Sequence, residues 1–191
     1  MIVKTNEYEV DNMEIKTAQH DVQTTFMRGA VGQTVSGLIW LVSAAIGTWG
    51  SERQAILVLV FGGMFIFPLT QLGLRLLGRP ASLPAGHPMN ALAMQVAFML
   101  PLNMLLVGAA ALYNINWFYP AFTLIVGTHY LPFTFLYGMW EFAVLAAILI
   151  FGSVGIAMWI PDSFSFGGWF TAVVLFLFVV TVQFTGRTSR S

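Results

Sequence analysis

The chain contains no cysteine, which excludes disulfides, thiolate metal sites and cysteine nucleophiles and leaves the redox compartment open. Charge is almost as scarce. Asp, Glu, Lys and Arg make up 8% of the residues, against about 25% in soluble domains. Between positions 29 and 186 the charged residues are Glu52, Arg53, Arg75, Arg79, Glu141 and Asp162, too few to clothe a domain facing water. A formal net charge of zero removes the global case for nucleic acid or acidic partners. There is no HExxH, no GxSxG, no phosphate-binding glycine loop and no pair of membrane-facing aspartates. His20, His87 and His129 lie far apart in sequence, so no metal or other cofactor is expected. Residues 1–28 carry five acids and three bases and do not read as a cleavable signal.

What is present is apolar and arranged in long runs. Hydrophobic residues are 58% of 191, a length suited to one domain. Six runs stand out: Ala30 to Trp49, Ala55 to about Leu77, Ala91 to Tyr113, Phe118 to Tyr137, Phe142 to Ile160 and Trp169 to about Thr185. Each is close to the ~20 residues needed to span a hydrocarbon core of about 30 Å. Backbone groups in lipid must be satisfied within the chain, which favours helix, and the runs are continuous rather than alternating, unlike barrel strands. The expected fold is all-α: a polytopic transmembrane bundle of six spans at 29–186. A cytoplasmic segment precedes it at 1–28 and a short cytoplasmic tail follows at 187–191.

Two connections are tight. Gly138, Met139 and Trp140 alone separate the fourth and fifth runs. A single helix over 118–160 would be roughly 65 Å long, so the chain must turn, and Gly138 can turn without a Cβ penalty. Asn114-Ile115-Asn116 turns between the third and fourth. Pro132 interrupts the fourth run, leaving open whether it crosses fully or re-enters.

Orientation follows from the basic residues. With the N-terminus inside, Lys4, Lys16, Arg28, Arg75, Arg79, Arg187 and Arg190 are cytoplasmic and Arg53 alone faces out. Trp49, Trp117, Trp159 and Trp169 then fall at outer helix ends, as interfacial anchors do. Both signals point to termini inside, in the inner membrane of a cell, with the lipid bilayer as the first partner. Before the first span, Ile15, Ala18, Val22 and Phe26 recur at helical spacing, which predicts a short amphipathic helix on the inner surface.

Polar side chains collect toward the inner side. Gln71 and Gln95 lie about six residues in from the inner ends of their runs. Thr34, Thr134 and Thr181 lie about four to five in, Ser36 and Tyr130 about seven to eight, and His129 about nine. At 1.5 Å per residue this layer is roughly 6–13 Å deep. It reads either as the lining of a cytoplasm-facing pocket or as hydrogen-bonding glue between helices. His129 and Glu141 are the ionisable non-phenolic side chains in or just under the hydrocarbon region, where such groups are costly and mark function. A bland reading gives Glu141 an interfacial role at a helix N-terminus and His129 a neutral packing role; the sharper one has the two handle a proton through a bridging water or Tyr130. Glycine, serine and alanine stripes on the first run (Gly32, Ser36, Ser43, Gly47) and the fifth (Ala143, Ala146, Ser153, Ala157) suit helix packing or a homo-oligomer face. Pro68, Pro101 and Pro132 inside three runs are either tolerated kinks or openings of a wet cavity.

Arg28-Gly29, Gly32-Gln33 and Ser36-Gly37-Leu38-Ile39-Trp40, with Gly127-Thr128-His129-Tyr130-Leu131-Pro132-Phe133, resemble an uncharacterised family of small bacterial integral membrane proteins. The resemblance implies a membrane location and a six-helix bundle over most of the chain, and it transfers no activity or functional residue. The leading expectation is a small carrier with a small-molecule or proton substrate and a polar pocket open to the cytoplasm. Its rivals are a non-catalytic assembly or sensor component, and an intramembrane enzyme acting on a lipid-like substrate.

Overall fold

The computed structural model describes residues 15–188. The expectations placed on Lys4, Arg190 and the side chain of Arg187 lie outside the described residues. Among the described residues the chain is all-helical, with seven α-helices: α1 Ile15–Thr25, α2 Ala30–Trp49, α3 Glu52–Leu76, α4 Asn90–Tyr113, α5 Phe118–Tyr137, α6 Glu141–Trp159 and α7 Phe166–Thr188. Five stretches are long and apolar enough to cross a membrane: Met27–Trp49, Glu52–Leu76, Asn90–Tyr113, Glu141–Trp159 and Phe166–Thr185. Helix α5, of 20 residues, is not among them.

The boundaries have local causes. Helix α3 begins three residues before the apolar run because Ser51 caps it, its hydroxyl accepting the Gln54 N–H at 3.3 Å with Glu52 in the first turn. Asn114 Oδ1 accepts the Asn116 N–H at 3.0 Å and breaks α4 from α5. Gly138 ends α5 in the left-handed region at φ 61°, the conformation in which a Cβ is penalised. Helix runs through Pro68, Pro101 and Pro132.

Side-chain contacts set the arrangement. Helix α2 lies antiparallel to α3, with Gly32 against Thr70, Gly62 against Ile39 and Gly73 against Val31. Its other flank meets α7, where Gly37 faces Phe176 and Gly47 faces Phe164 and Ser165. Helix α6 follows α7 through Phe142 against Phe178. Helix α5 fits among α2, α6 and α7, and α4 packs on its far side. A layer of rings joins α2 to α5, with Trp40 tilted against Tyr119 and Phe122 at centroid distances of 5.9 and 5.2 Å. Trp49 and Trp169 meet edge-on at 5.8 Å, and Trp169 Nε1 donates to Thr48 at 2.9 Å, at the end opposite the α5–α6 turn.

Helix α1 closes the turn end. Its predicted apolar stripe exists, but Ala18 and Val22 are buried within the protein rather than presented outward, while Ile15 is exposed. The loop between α3 and α4 lies beside it, with Leu83, His87 and Met89 buried. His87 Nδ1 accepts the Met89 N–H at 3.2 Å, and its Nε2 faces Asp21 of α1 at 3.6 Å.

Candidate functional site

The polar side chains gather around α5, which bonds to a different neighbour at almost every turn. Near the Trp49 end, Ser43 donates to the Ala55 carbonyl at 2.8 Å. Its single proton is thereby committed, so Tyr119 must be the donor in the 2.6 Å contact between the two hydroxyls. Ser43 of α2 thus joins both α3 and α5. By the same logic Thr171 donates to Gly167 at 2.9 Å, so Thr123 donates to Thr171 at 2.7 Å and fastens α5 to α7. Deeper, the Tyr130 hydroxyl donates to Gln33 Oε1 at 2.6 Å, and Ser36 hydrogen-bonds the same phenol. On the opposite flank the His129 ring hydrogen-bonds the backbone of Val96 on α4. Its Nδ1 has no partner.

A second cluster sits under the turn end. Met27, Arg28 and Gly29 all take positive φ, at 50°, 57° and 83°, and reverse the chain between α1 and α2. For Met27 and Arg28 that conformation costs on the order of 1–3 kcal/mol each, offset by what the reversal brings together. Arg28 reaches Glu141 at 3.1 Å, an ion pair with 26% and 11% of the side chains exposed. Gln19 and Gln23 donate to the carbonyls of Phe135 and Tyr137, each at 2.6 Å. Those carbonyls belong to the last turn of α5, where intrahelical donors run out; that of Phe135 also accepts the Gly138 N–H at 3.2 Å. Helix α1 is therefore a cap on α5, built from side-chain amides.

The predicted layer divides. Ser36 and Tyr130 come together through Gln33. His129 is on another face and bonds a different helix. Thr34 bonds the Ala30 carbonyl of its own helix at 2.8 Å, as Thr181 bonds Leu177 at 2.9 Å. Thr134 Oγ1 is buried without a partner. Gln71 is half-buried on α3, and Gln95, expected inside, is exposed on α4. Among the described residues no hydrogen bond or ion pair joins His129 to Glu141, which pairs with Arg28.

Sequence reasoning singled out Glu141 without its partner, because Arg28 lies 113 residues away across a chain reversal that two non-glycine left-handed residues create. Gln33 was legible in principle: it precedes Ser36 by three, the spacing of one helix face. Tyr119, Thr123 and Thr171 carried no signal beyond being polar.

A cavity of about 210 Å³ opens between α6 and α7, lined mainly by apolar groups such as Ile148, Leu177 and Phe178, with Trp140, Glu141 and Thr181 at one end. It does not take in Tyr130, Gln33 or Ser36. Among the described residues no three His, Asp or Glu side chains form a metal-holding group. A family model described as a family of unknown function, DUF7010, matches residues 15–185. No curated protein matches the chain, and no solved structure matches it.

Proposed function

Starting from a chain that belongs to this family of unknown function, we propose a multi-pass protein of a bacterial inner membrane with six spans and both termini inside. Its role is that of a non-catalytic membrane component, in which the polar layer joins helices rather than receiving a substrate. The observation that carries this reading is the Tyr130–Gln33–Ser36 cluster: a phenol and an amide in contact at 2.6 Å, buried where a pocket would have to open. Counting α5 as the sixth span rests on its length, about 30 Å at 1.5 Å per residue, and on its polar groups facing other helices instead of lipid. The basic residues and tryptophans supply the orientation.

A carrier is the second reading, favoured by the buried, unpartnered His129 Nδ1 and Thr134 Oγ1. Orphaned buried polar atoms call for an explanation, and a transported proton or small polar molecule would supply one.

The absence of cysteine makes the test clean. Ser36→Cys and Thr134→Cys are each introduced alone and exposed to a membrane-impermeant maleimide from the cytoplasmic side. Both should stay unlabelled in intact membranes and react after denaturation. Rapid labelling of both in the native state would favour the carrier instead. A cysteine at Ser82 should label from the inside and one at Asn116 from the outside; the reverse pattern would overturn the orientation.

A further inference from the structure

Helices α3 and α4 are the outermost of the bundle, and in each case 11% of the apolar stretch is buried. Their outer faces differ in one respect. That of α3, with Phe61, Phe65 and Leu72 exposed, is apolar from Leu57 to Leu72, as a lipid-facing helix should be. The outer face of α4 carries Gln95, exposed and without a hydrogen bond among the described residues. The residue lies about 8 Å along the helix from Asn90. With α4 in the membrane as proposed, an amide there lies in an apolar medium, where leaving its donors and acceptor unmet is costly. Gln95 also has the wrong reach to escape: snorkelling to the interface is the habit of long Lys and Arg stems.

The residues around it form a pattern. Ala91, Gln95, Phe98, Leu102, Leu105, Ala109 and Leu112 follow spacings of four and three in strict alternation, and every one is exposed, with Phe98 at 58% and Leu112 at 91%. That is a heptad seam, the spacing at which helices pack in a left-handed pair. A single polar residue in such a seam fixes register and partner number.

We infer that α4 pairs with α4 of a second copy of this chain, in a parallel two-fold dimer centred on the seam, with the two Gln95 amides bonding each other. The occupant follows from the chemistry of the amide, which offers both a donor and an acceptor and is its own complement across a two-fold axis. Copies inserted the same way in one membrane present α4 in parallel, so each seam residue meets its own counterpart. The inference rests on α4 lying in the membrane, as proposed above. Its test therefore includes a control for that placement.

Single cysteines at Leu102 and Leu105, on the seam, are compared in native membranes under mild oxidation with Ala97→Cys, exposed on α4 but off the seam, and Phe61→Cys on α3. The two seam positions should give a disulfide-linked dimer and the two controls should stay monomeric. Adding Gln95→Leu to Leu105→Cys should weaken the dimer, with an apparent dissociation constant raised about threefold to thirtyfold, and Gln95→Asn should largely restore it. Ser82→Cys, labelled from the inside throughout, reports that the bundle is inserted. With that control intact, equal crosslinking on and off the seam, no effect of Gln95→Leu, or adducts only with other polypeptides would overturn the self-pairing. Loss of the control label would count against the membrane placement itself.

Discussion

Helix α5 and the two outer helices sort their residues in opposite ways. Eleven residues of α5 are buried, among them Thr123, His129 and three tyrosines. Helix α3 buries Ala55, Leu59 and Leu74, and α4 buries Val96 and Val107, yet both are apolar enough to cross a membrane. In water the buried helix would be the apolar one. Here buried polar side chains mark contact with other helices, as the proposed membrane setting would require, since association in lipid relies on packing and interhelical hydrogen bonds.

The contrast can be broken most severely at the glycines. A Cβ at Gly127 would sit 3.1 Å from the Ile150 backbone nitrogen and 2.8 Å from its side chain. Gly127→Leu should therefore force α5 from α6 and lower stability by about 3 kcal/mol or more. Gly63 on α3 meets nothing within 4 Å, and Gly63→Leu should be close to neutral. Thermal melting of the detergent-solubilised variants separates the two.

A smaller effect is expected from Tyr130→Phe, which leaves Gln33 Oε1 buried without its donor, at a cost of about 1–3 kcal/mol. Thr181→Val, on an exposed stretch of α7, should cost less than about 0.5 kcal/mol. Denaturant midpoints measured side by side would sharpen the comparison; equal losses would erase it.

Glu141→Gln tests the cap. The pair with Arg28 is partly exposed, so its removal should cost about 1 kcal/mol or less globally. The local consequence is more specific: α1 loses one of its fastenings, and cleavage by trypsin at Lys16 should quicken while the rest of the bundle stays resistant. Unchanged cleavage would mean that Gln19 and Gln23 hold α1 on their own.

Much of the helix plan was legible because long apolar runs admit few alternatives. Phe118–Tyr137 was placed by length and by the need to turn at Gly138, although its hydropathy alone would have missed it. The site was legible only in part. Depth counting found Ser36 and Tyr130 but could not say which way a side chain points, so Gln95 fell into the layer by depth alone and stands outside it. Periodicity did not hold that information, because α4 is apolar on every face; the structure alone turns Val96, Met104 and Val107 inward, with Gln95 about 100° away from Val96. The Arg28–Glu141 pair was hidden for a different reason, since it depends on a backbone reversal at Met27 and Arg28 that neither residue type favours.

The claim that matters most is that the polar groups around α5 bind its neighbours. A double-mutant cycle on Tyr130→Phe and Gln33→Leu addresses it directly. If the two side chains are each other's partners, the double variant should lose little more than either single one, with a coupling of about 0.6–2 kcal/mol. Strictly additive losses would contradict the account and return Tyr130 and Gln33 to the lining of a pocket.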